Sequence, residues 1–194
     1  MADARWNHNI HYQQLVLRLL PPGTRRALDV GCGEGLLTRE LAAAGVPAVV
    51  GVDRDAGQLD LARAAGGGPS YILGDFLTTD LGESFDFVAT IATLHHVDLR
   101  TGLRRLRSLV APGGRLVVIG LGARSWPADL PWDAAGFVVH RWHRARRGLW
   151  QHSAPIADPS LTNAQTVRVA RAELPGVRFR RLVLFRHLIV WDAH

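Results

Sequence analysis

Three glycines spaced two residues apart, Gly31, Gly33 and Gly35, directly follow a short apolar run. An apolar helical pattern begins at the next residue, Leu36. Glycine has no Cβ, so a backbone that turns here can approach a ligand closely. The free N–H groups at the start of the following helix can bind that ligand. The segment therefore predicts a strand, a tight glycine turn and a helix that together bind a small molecule.

The spacing of the glycines separates this turn from a dinucleotide-binding loop. That loop has the pattern G-x-G-x-x-G, which would place its third glycine at position 36. This chain has Leu36 there, and its third glycine comes one residue earlier. The spacing disfavours a nicotinamide-dependent dehydrogenase. A purely structural connection between strand and helix stays open as an alternative for the turn taken alone.

Two aspartates follow later apolar runs, where a parallel sheet binds its ligands. Asp53 follows the run 48–52, and its carboxylate could accept hydrogen bonds from both hydroxyls of a ribose. Asp75 follows the run 70–73 and could accept a hydrogen bond from an adenine amino group while Phe76 packs on the ring. The alternatives are a surface aspartate in a turn for Asp53 and a helix N-cap for Asp75.

Three other side chains could take part in binding or in proton transfer. Asp29 lies within the first apolar run, where an unpaired charge is costly. It is expected to bind an ammonium group of the ligand or to anchor the glycine turn through its N–H groups. His95 and His96 follow the fourth apolar run, and imidazole titrates near neutral pH. Either histidine could act as a general base, or could only hold its loop through a backbone hydrogen bond.

The elements that must position these residues follow from the hydrophobic pattern. The apolar runs are continuous, as in strands buried on both faces of a parallel sheet. The predicted strands are 27–30, 48–52, 70–73, 85–92, 115–121, 179–185 and 187–192. The predicted helices are 36–44, 56–65, 99–110, 134–146 and 162–173, the last with Thr162 and Gln165 as a capping box. This alternation predicts a doubly wound α/β sheet.

Length and composition narrow the class of protein further. The 194 residues fit a single domain over 1–194. No apolar run approaches the ~20 residues of a membrane helix, and the start of the chain does not read as a secretory signal, so a cytoplasmic protein is expected. Cys32 is the only cysteine, which excludes an intrachain disulfide. The net charge of +6 comes from arginine without lysine and favours a solvated basic surface over nucleic-acid binding.

Five segments in order resemble the motifs of the class I S-adenosylmethionine (SAM)-dependent methyltransferases. They are 28–35 (motif I), 52–53 (the ribose-binding acid), 74–76 (the adenine-binding acid), 85–97 (the fourth-strand motif) and 112–114 (the turn before the fifth strand). The resemblance implies a Rossmann-like, seven-stranded, mostly parallel sheet with a C-terminal antiparallel hairpin and helices on both faces. It also implies SAM as the cofactor and S-adenosylhomocysteine as the product.

The resemblance carries a set of expected site residues. The expected cofactor-binding residues are Tyr12, Asp29, Gly31, Cys32, Gly33, Asp53, Arg54, Asp75, Phe76 and Ile91. In the family the N-terminal segment, here 1–22, often forms a lid, so Tyr12 could bind the methionine carboxylate and His8 or His11 could face the acceptor. A packed helix with a half-buried Tyr12 is the alternative. The expected catalytic residues are His11, His95 and His96.

The expected function is methyl transfer from SAM to a small-molecule acceptor, with oxygen as the favoured atom. An RNA methyltransferase and a protein that binds SAM without transferring its methyl group are the alternatives. Some relatives bind a metal through a Glu-His pair, but His95 replaces the glutamate here, so no metal is predicted. Residues 123–160 read as an insertion that shapes the acceptor pocket, with four tryptophans as its wall, although tryptophans often lie in a core instead. These are Trp126, Trp132, Trp142 and Trp150. A monomer or homodimer without a membrane partner is expected.

Overall fold

The computed structural model describes residues 6–127, 129–147 and 158–194, which form one seven-stranded sheet flanked by helices. The strands are β1 (Arg26–Val30), β2 (Ala48–Asp53), β3 (Ser70–Leu73), β4 (Phe85–Ile91), β5 (Val110–Leu121), β6 (Arg178–Leu182) and β7 (Arg186–Asp192). The helices are α1 (His8–Arg18), α2 (Leu36–Ala43), α3 (Ala56–Ala64), α4 (Leu99–Leu109), α5 (Leu130–Arg147) and α6 (Asn163–Glu173). In the described part of the chain, no helix is long and apolar enough to cross a bilayer.

The strand order is β3-β2-β1-β4-β5-β7-β6. The first five strands along the chain pair in parallel, whereas β7 is antiparallel to both β5 and β6. This topology confirms the predicted mostly parallel sheet with its C-terminal hairpin. The register aligns Val30 with Val52 on one side and with Thr90 on the other. The carboxyl ends of β1, β2 and β4 therefore reach the same edge of the sheet, where their loops can share one ligand.

Alternate residues of the central strands pack into two separate cores, one on each face of the sheet. On β5, Leu116 and Val118 belong to the core that α4 and α6 cover, whereas Val117 and Ile119 belong to the core that α1 and α2 cover. All four are fully or almost fully buried, and each such side chain contributes about 1.5–3 kcal/mol of burial free energy. This double-sided burial explains why the strands read as continuous apolar runs.

Polar side chains fix where several helices begin. Asn7, Asp55 and Asp98 each accept a hydrogen bond from a backbone N–H in the first turn of α1, α3 and α4. The predicted capping box of α6 is present, with the Thr162 hydroxyl bound to the Gln165 backbone and the Gln165 side chain bound to the Thr162 backbone. Such caps stabilise a helix start by ~1 kcal/mol, and those of α1 and α3 lie beside the ligand-binding edge.

Several predicted boundaries differ from the structure, among them the start of the helix predicted at 134–146, which begins at Leu130. The sixth strand ends at Leu182 rather than at residue 185, because Leu184 and Phe185 have positive φ angles of 56° and 60° in the turn before β7. The fourth strand ends at Ile91, since Ala92 has φ +55°. The fifth strand begins at Val110, directly after α4. Apolar side chains continue through both positive-φ turns, so hydrophobic periodicity does not mark them.

Candidate active site

A cavity of about 390 Å³ opens at the carboxyl edge of the parallel strands, a volume typical of small-molecule sites. Most of the predicted site residues line it. They are Asp29, Gly31, Cys32, Gly33, Asp53, Arg54, Asp75, Phe76, Ile91, His95 and His96. The structure thus brings together the loops after β1, β2, β3 and β4 around one space.

The glycine turn is held against β2 by its own backbone. The N–H groups of Gly31 and Cys32 both donate to the Val52 carbonyl, at 2.8 and 3.1 Å. Gly31 has φ +71°, and a Cβ at this position would lie 2.2 Å from the Thr93 hydroxyl oxygen. Only glycine therefore fits here, both in conformation and in space. The Cys32 thiol is buried, and burial raises its pKa.

The Asp53 carboxylate joins the second strand to the glycine turn. One oxygen accepts a hydrogen bond from the Gly33 N–H at 2.8 Å, and the other accepts one from the Asp55 N–H at 3.0 Å. Each carboxylate oxygen has a second lone pair. Asp53 can thus accept two more hydrogen bonds, from neighbouring hydroxyls such as those of a ribose, while it holds the turn in place.

The loop after β3 presents Asp75 and Phe76 to the same cavity. Asp75 accepts a hydrogen bond from the Leu77 N–H at 2.9 Å, which fixes its carboxylate. The Arg105 guanidinium donates to the carbonyls of Phe76 and Thr79, at 3.0 and 2.8 Å, and so ties the loop to α4. The Phe76 ring is 6% exposed, so it can offer only part of one edge or face to a ligand.

Asp29 is a buried acid at the floor of the cavity. It is 3% exposed, and it accepts a hydrogen bond from the Thr38 hydroxyl at 2.7 Å. Burial, and to a lesser degree the nearby Asp53, raises the pKa of Asp29 from 3.8 to about 7. Protonation of Asp29 thus falls in the physiological range, and a cation placed beside it would favour its charged form.

The two predicted histidines lie in a single helical turn after β4, Leu94–His96, with ring centroids 4.0 Å apart. Within the described residues, the buried Nδ1 of His95 has no hydrogen-bond partner. Burial, and next the neighbouring His96, lowers the pKa of His95 to about 4. Burial and Arg54 lower the pKa of the more exposed His96 as well. Both imidazoles are neutral at pH 7 and can accept a proton.

The structure does not bring Tyr12 and His11 to this cavity. The Tyr12 hydroxyl donates to the Val183 carbonyl at 2.6 Å, and both residues line a shallower hollow on the other side of α1. His8 lies outside the cavity too, with its Nε2 2.9 Å from Nδ1 of His140. The expected contact of Tyr12 with the methionine carboxylate is thus not supported, because its hydroxyl is used by the turn before β7.

The N-cap of α1 and three other residues of its first turns face the cavity instead. They are Asn7, Asn9, Ile10 and Gln13. Asn9 and Gln13 are four positions apart and therefore share one face of the helix. Arg186, at the start of β7, completes this side of the cavity. Sequence reasoning missed these residues because the polar pattern of α1 is similar all round, so it does not show which face turns inward.

The described part of the segment 123–160 contributes no residue to the cavity wall. Trp126, Trp132 and Trp142 are 80%, 39% and 50% exposed, and Trp150 lies outside the described residues. Trp126, Trp132 and Trp142 thus neither line the cavity nor belong to the core. No group of three or more His, Cys, Asp or Glu able to hold a metal occurs among the described residues, and the absence of a metal stays a prediction.

Comparison with known proteins supplies the family. A family described as "Methyltransferase domain" matches residues 28–118. An uncharacterized methyltransferase of Mycobacterium bovis is 41% identical to this chain, and the alignment covers 98% of each of the two proteins. A ubiquinone biosynthesis O-methyltransferase of Azorhizobium caulinodans is 33% identical over 69% of this chain and 58% of its own length.

Two solved structures share the fold. The S-adenosylmethionine-dependent methyltransferase of Mesorhizobium loti superposes with a TM-score of 0.63 at 21% identity, over 98% of each chain. The SAM-bound amino pentose methyltransferase of Micromonospora echinaspora superposes with a TM-score of 0.66 at 19% identity, over 97% of this chain and 92% of its own. At these identities, each superposition shows only that the fold is shared. Together with the relative of similar length, they show that this chain belongs to the class I SAM-dependent methyltransferases.

Proposed function

We propose that this protein transfers the methyl group of SAM to an oxygen atom of a small-molecule acceptor. The observation that carries the proposal is the convergence of two acids, a glycine turn and two neutral histidines on one cavity of about 390 Å³. A cavity of this size suits a nucleoside and a small acceptor better than a folded nucleic acid. The O-methyltransferase named among the relatives supports oxygen as the receiving atom.

The residues around the cavity fit SAM in shape and charge. Asp53 offers two free acceptor positions for the ribose hydroxyls, and Asp75 with Phe76 offers an acceptor and an apolar surface for adenine. Gly31 and Gly33 line the cavity with backbone atoms alone, and the methionine part would lie against them. Asp29 provides the negative charge for its ammonium group. Cys32, Arg54 and Ile91 complete the walls.

SAM supplies the activated methyl group when it is bound, so the protein has three tasks. It must orient the acceptor, exclude water and accept a proton if the acceptor is a hydroxyl. We assign the last task to His96, because its more exposed imidazole is a stronger base than that of His95, whose pKa is lowered to about 4. His95 then packs against the base and positions it.

The proposed function is tested by two measurements on the purified protein. Calorimetric titration with S-adenosylhomocysteine should show saturable binding to the cavity. Incubation with SAM labelled in the methyl group and a panel of phenols, carboxylates, amines and RNA should form S-adenosylhomocysteine together with an O-methylated small molecule. Binding without turnover on any acceptor would leave a SAM-binding protein, and labelled RNA would replace the proposed function by the RNA methyltransferase.

Replacing His96 by alanine should lower kcat by ~100-fold or more, the usual contribution of a general base. The Kd for S-adenosylhomocysteine should change less than about twofold, because the imidazole is assigned to the acceptor side. In the unmodified protein, kcat should fall as the pH drops below 6.5, since a protonated imidazole cannot accept a proton and the His96 pKa lies below that value. Steady-state rates between pH 5 and pH 8 check both points. Equal rates for both proteins at pH 7 would make His96 structural.

The affinity for SAM should rise with pH between 6 and 8. Asp29 has a pKa of about 7 in the free protein, so only ~10% of it is ionised at pH 6, and binding of an ammonium group there should be about tenfold weaker than at pH 8. Calorimetry with S-adenosylhomocysteine measures this slope. Asp29→Asn should remove this pH dependence of affinity. The affinity for 5′-methylthioadenosine, which lacks the ammonium group, should depend little on pH. A slope of equal size for both ligands would contradict the role of Asp29.

A further inference from the structure

Arg186 is a cavity residue whose charge no described residue balances. It is the first residue of β7 and pairs with Leu121, the last residue of β5, at the ligand-binding edge. The turn Val183–Phe185 delivers it there, with two residues in the left-handed region of backbone conformation. Such a turn costs about 1–3 kcal/mol per strained residue, which the packing of the fully buried Leu184 helps to offset.

The hydrogen bonds of Arg186 leave donors unused. One terminal nitrogen donates to the Asn9 side-chain oxygen at 2.9 Å, and the other makes a long contact of 3.5 Å with the Leu184 carbonyl. The buried Nε has no partner among the described residues. A guanidinium has five N–H donors, so most of this fork is available to an acceptor group placed in the cavity.

The surroundings of Arg186 are basic or neutral. The side chains close enough to sense its charge are His8, His95, His187 and Tyr12, and its proximity lowers the pKa of all three histidines further. The described ion pairs of the chain do not include Arg186. Burial lowers its own pKa to about 10, so it stays charged at pH 7. Arg54, the other arginine on the cavity, differs because it is exposed to solvent.

The strand order places Arg186 at the acceptor end. The predicted nucleoside contacts follow β2 and β3, the glycine turn follows β1, and the histidines follow β4. Arg186 belongs to β7, three strands beyond β1 and thus about 14 Å along the edge at ~4.8 Å per strand. The histidine turn lies between the glycine turn and Arg186 in this order. In that turn, the buried Nδ1 of His95 has no hydrogen-bond partner among the described residues, so it is a second unsatisfied polar atom besides Nε of Arg186.

We propose that Arg186 binds an anionic oxygen group, a carboxylate, of the methyl acceptor. This rests on the proposed function and names the substrate class of the same site. A planar carboxylate matches the guanidinium fork and would use the donors that Asn9 and Leu184 leave free. The acceptor is therefore a small acid, held by its carboxylate at Arg186 with its reacting oxygen nearer to the histidines. Asn9 positions the guanidinium through the bond to its side-chain oxygen.

The cofactor also has a carboxylate, on its methionine part. The experiment must therefore distinguish binding of the cofactor's carboxylate from binding of the acceptor's carboxylate. Arg186→Gln removes the charge, Arg186→Lys keeps the charge without the fork, and Arg180→Gln removes a charge from the neighbouring strand outside the cavity. Each variant is first titrated with S-adenosylhomocysteine and with 5′-methylthioadenosine, which lacks the methionine carboxylate. For each of the two ligands, we expect the Kd values of all four proteins, including the unmodified one, to agree within about twofold, since Arg186 is assigned to the acceptor.

The protein saturated with S-adenosylhomocysteine is then titrated with 4-hydroxybenzoate and hexanoate, and with the matched amides. We expect the unmodified protein and Arg180→Gln to bind the carboxylates and to bind the amides at least about tenfold more weakly. Arg186→Gln should weaken carboxylate binding roughly 10- to 100-fold, with Arg186→Lys between the two.

Three outcomes would overturn the inference. The first is that neither carboxylate binds the loaded protein, and the second is that amides bind as well as acids. In the third, Arg186→Gln weakens the binding of S-adenosylhomocysteine but not that of 5′-methylthioadenosine, which would assign Arg186 to the carboxylate of the cofactor. Failure of the unmodified protein to bind S-adenosylhomocysteine at all is a different result, because it removes the proposed function itself.

Discussion

Gly31→Ala is expected to lower the free energy of unfolding by about 2–5 kcal/mol and to abolish measurable SAM binding. An alanine at φ +71° costs about 1–2 kcal/mol. Its Cβ would also lie 2.2 Å from the Thr93 hydroxyl oxygen, and overpacking of this kind costs about 1–3 kcal/mol. Thr93 cannot yield easily, because its one hydroxyl hydrogen is shared between the carbonyls of Val30 and Ile91, at 3.2 and 3.3 Å. Urea denaturation and calorimetric titration with SAM measure the two effects.

Gly23→Ala is the matched control for this prediction. Gly23 has φ +78°, but a Cβ there meets nothing within 4 Å, and the residue does not line the cavity. Gly23→Ala should lower the free energy of unfolding only by the conformational cost of about 1–2 kcal/mol, and this variant should bind SAM like the unmodified protein. If the two variants unfold at the same urea concentration and bind SAM equally, the close approach at Gly31 has no role in the site.

Asp53→Ala is expected to weaken SAM binding roughly 100-fold. Two charge-assisted hydrogen bonds to ribose hydroxyls together contribute about 3 kcal/mol, and the loss of the bond to the Gly33 N–H loosens the turn as well. Asp53→Asn separates the two effects, because the amide oxygen can still hold Gly33, and we expect a loss nearer to tenfold. Calorimetric titration with SAM at pH 8, where Asp29 is ionised, measures both.

Asp60→Ala controls for the lost negative charge. Asp60 is an exposed residue of α3 that pairs with Arg63 and does not line the cavity. An exposed pair contributes at most about 1 kcal/mol, so stability and SAM affinity should both be close to those of the unmodified protein. An Asp53→Ala protein that binds SAM as tightly as Asp60→Ala does would refute the ribose assignment.

The fold could be predicted from the sequence because its signals are local. Gly31 to Gly35 mark the first strand–helix turn, and Thr162 with Gln165 mark the start of α6. Buried parallel strands produce uninterrupted apolar runs, which are easy to recognise. Asp53 and Asp75 were found for the same reason, since each stands where an apolar run ends, whereas Asp29 was found as a charged residue inside such a run. Their assigned roles stay predictions until binding is measured.

The helix α1 and the hairpin could not be predicted to the same depth. Which face of α1 turns toward the cavity depends on its packing against α2 and on the turn before β7, and neither is encoded in α1 itself. Tyr12 faces that turn because its hydroxyl satisfies the Val183 carbonyl, and this rotation brings Asn9 and Gln13 to the ligand side. The cavity position of Arg186 was not predicted because the turn before it uses leucine and phenylalanine, not glycine or asparagine, at positive φ.

The insertion of β7 between β5 and β6 also sets the order in which the site is completed during synthesis. A ribosome makes the chain from its N-terminus, so the glycine turn, Asp53, Asp75 and the two histidines emerge long before residue 186. A nascent chain that ends before β7 would thus contain the residues proposed to bind the cofactor, yet it would lack Arg186, and the edge of β5 would be unpaired. Unpaired edges of this kind invite association with other chains, so a stalled or truncated translation product should aggregate rather than act as a smaller enzyme.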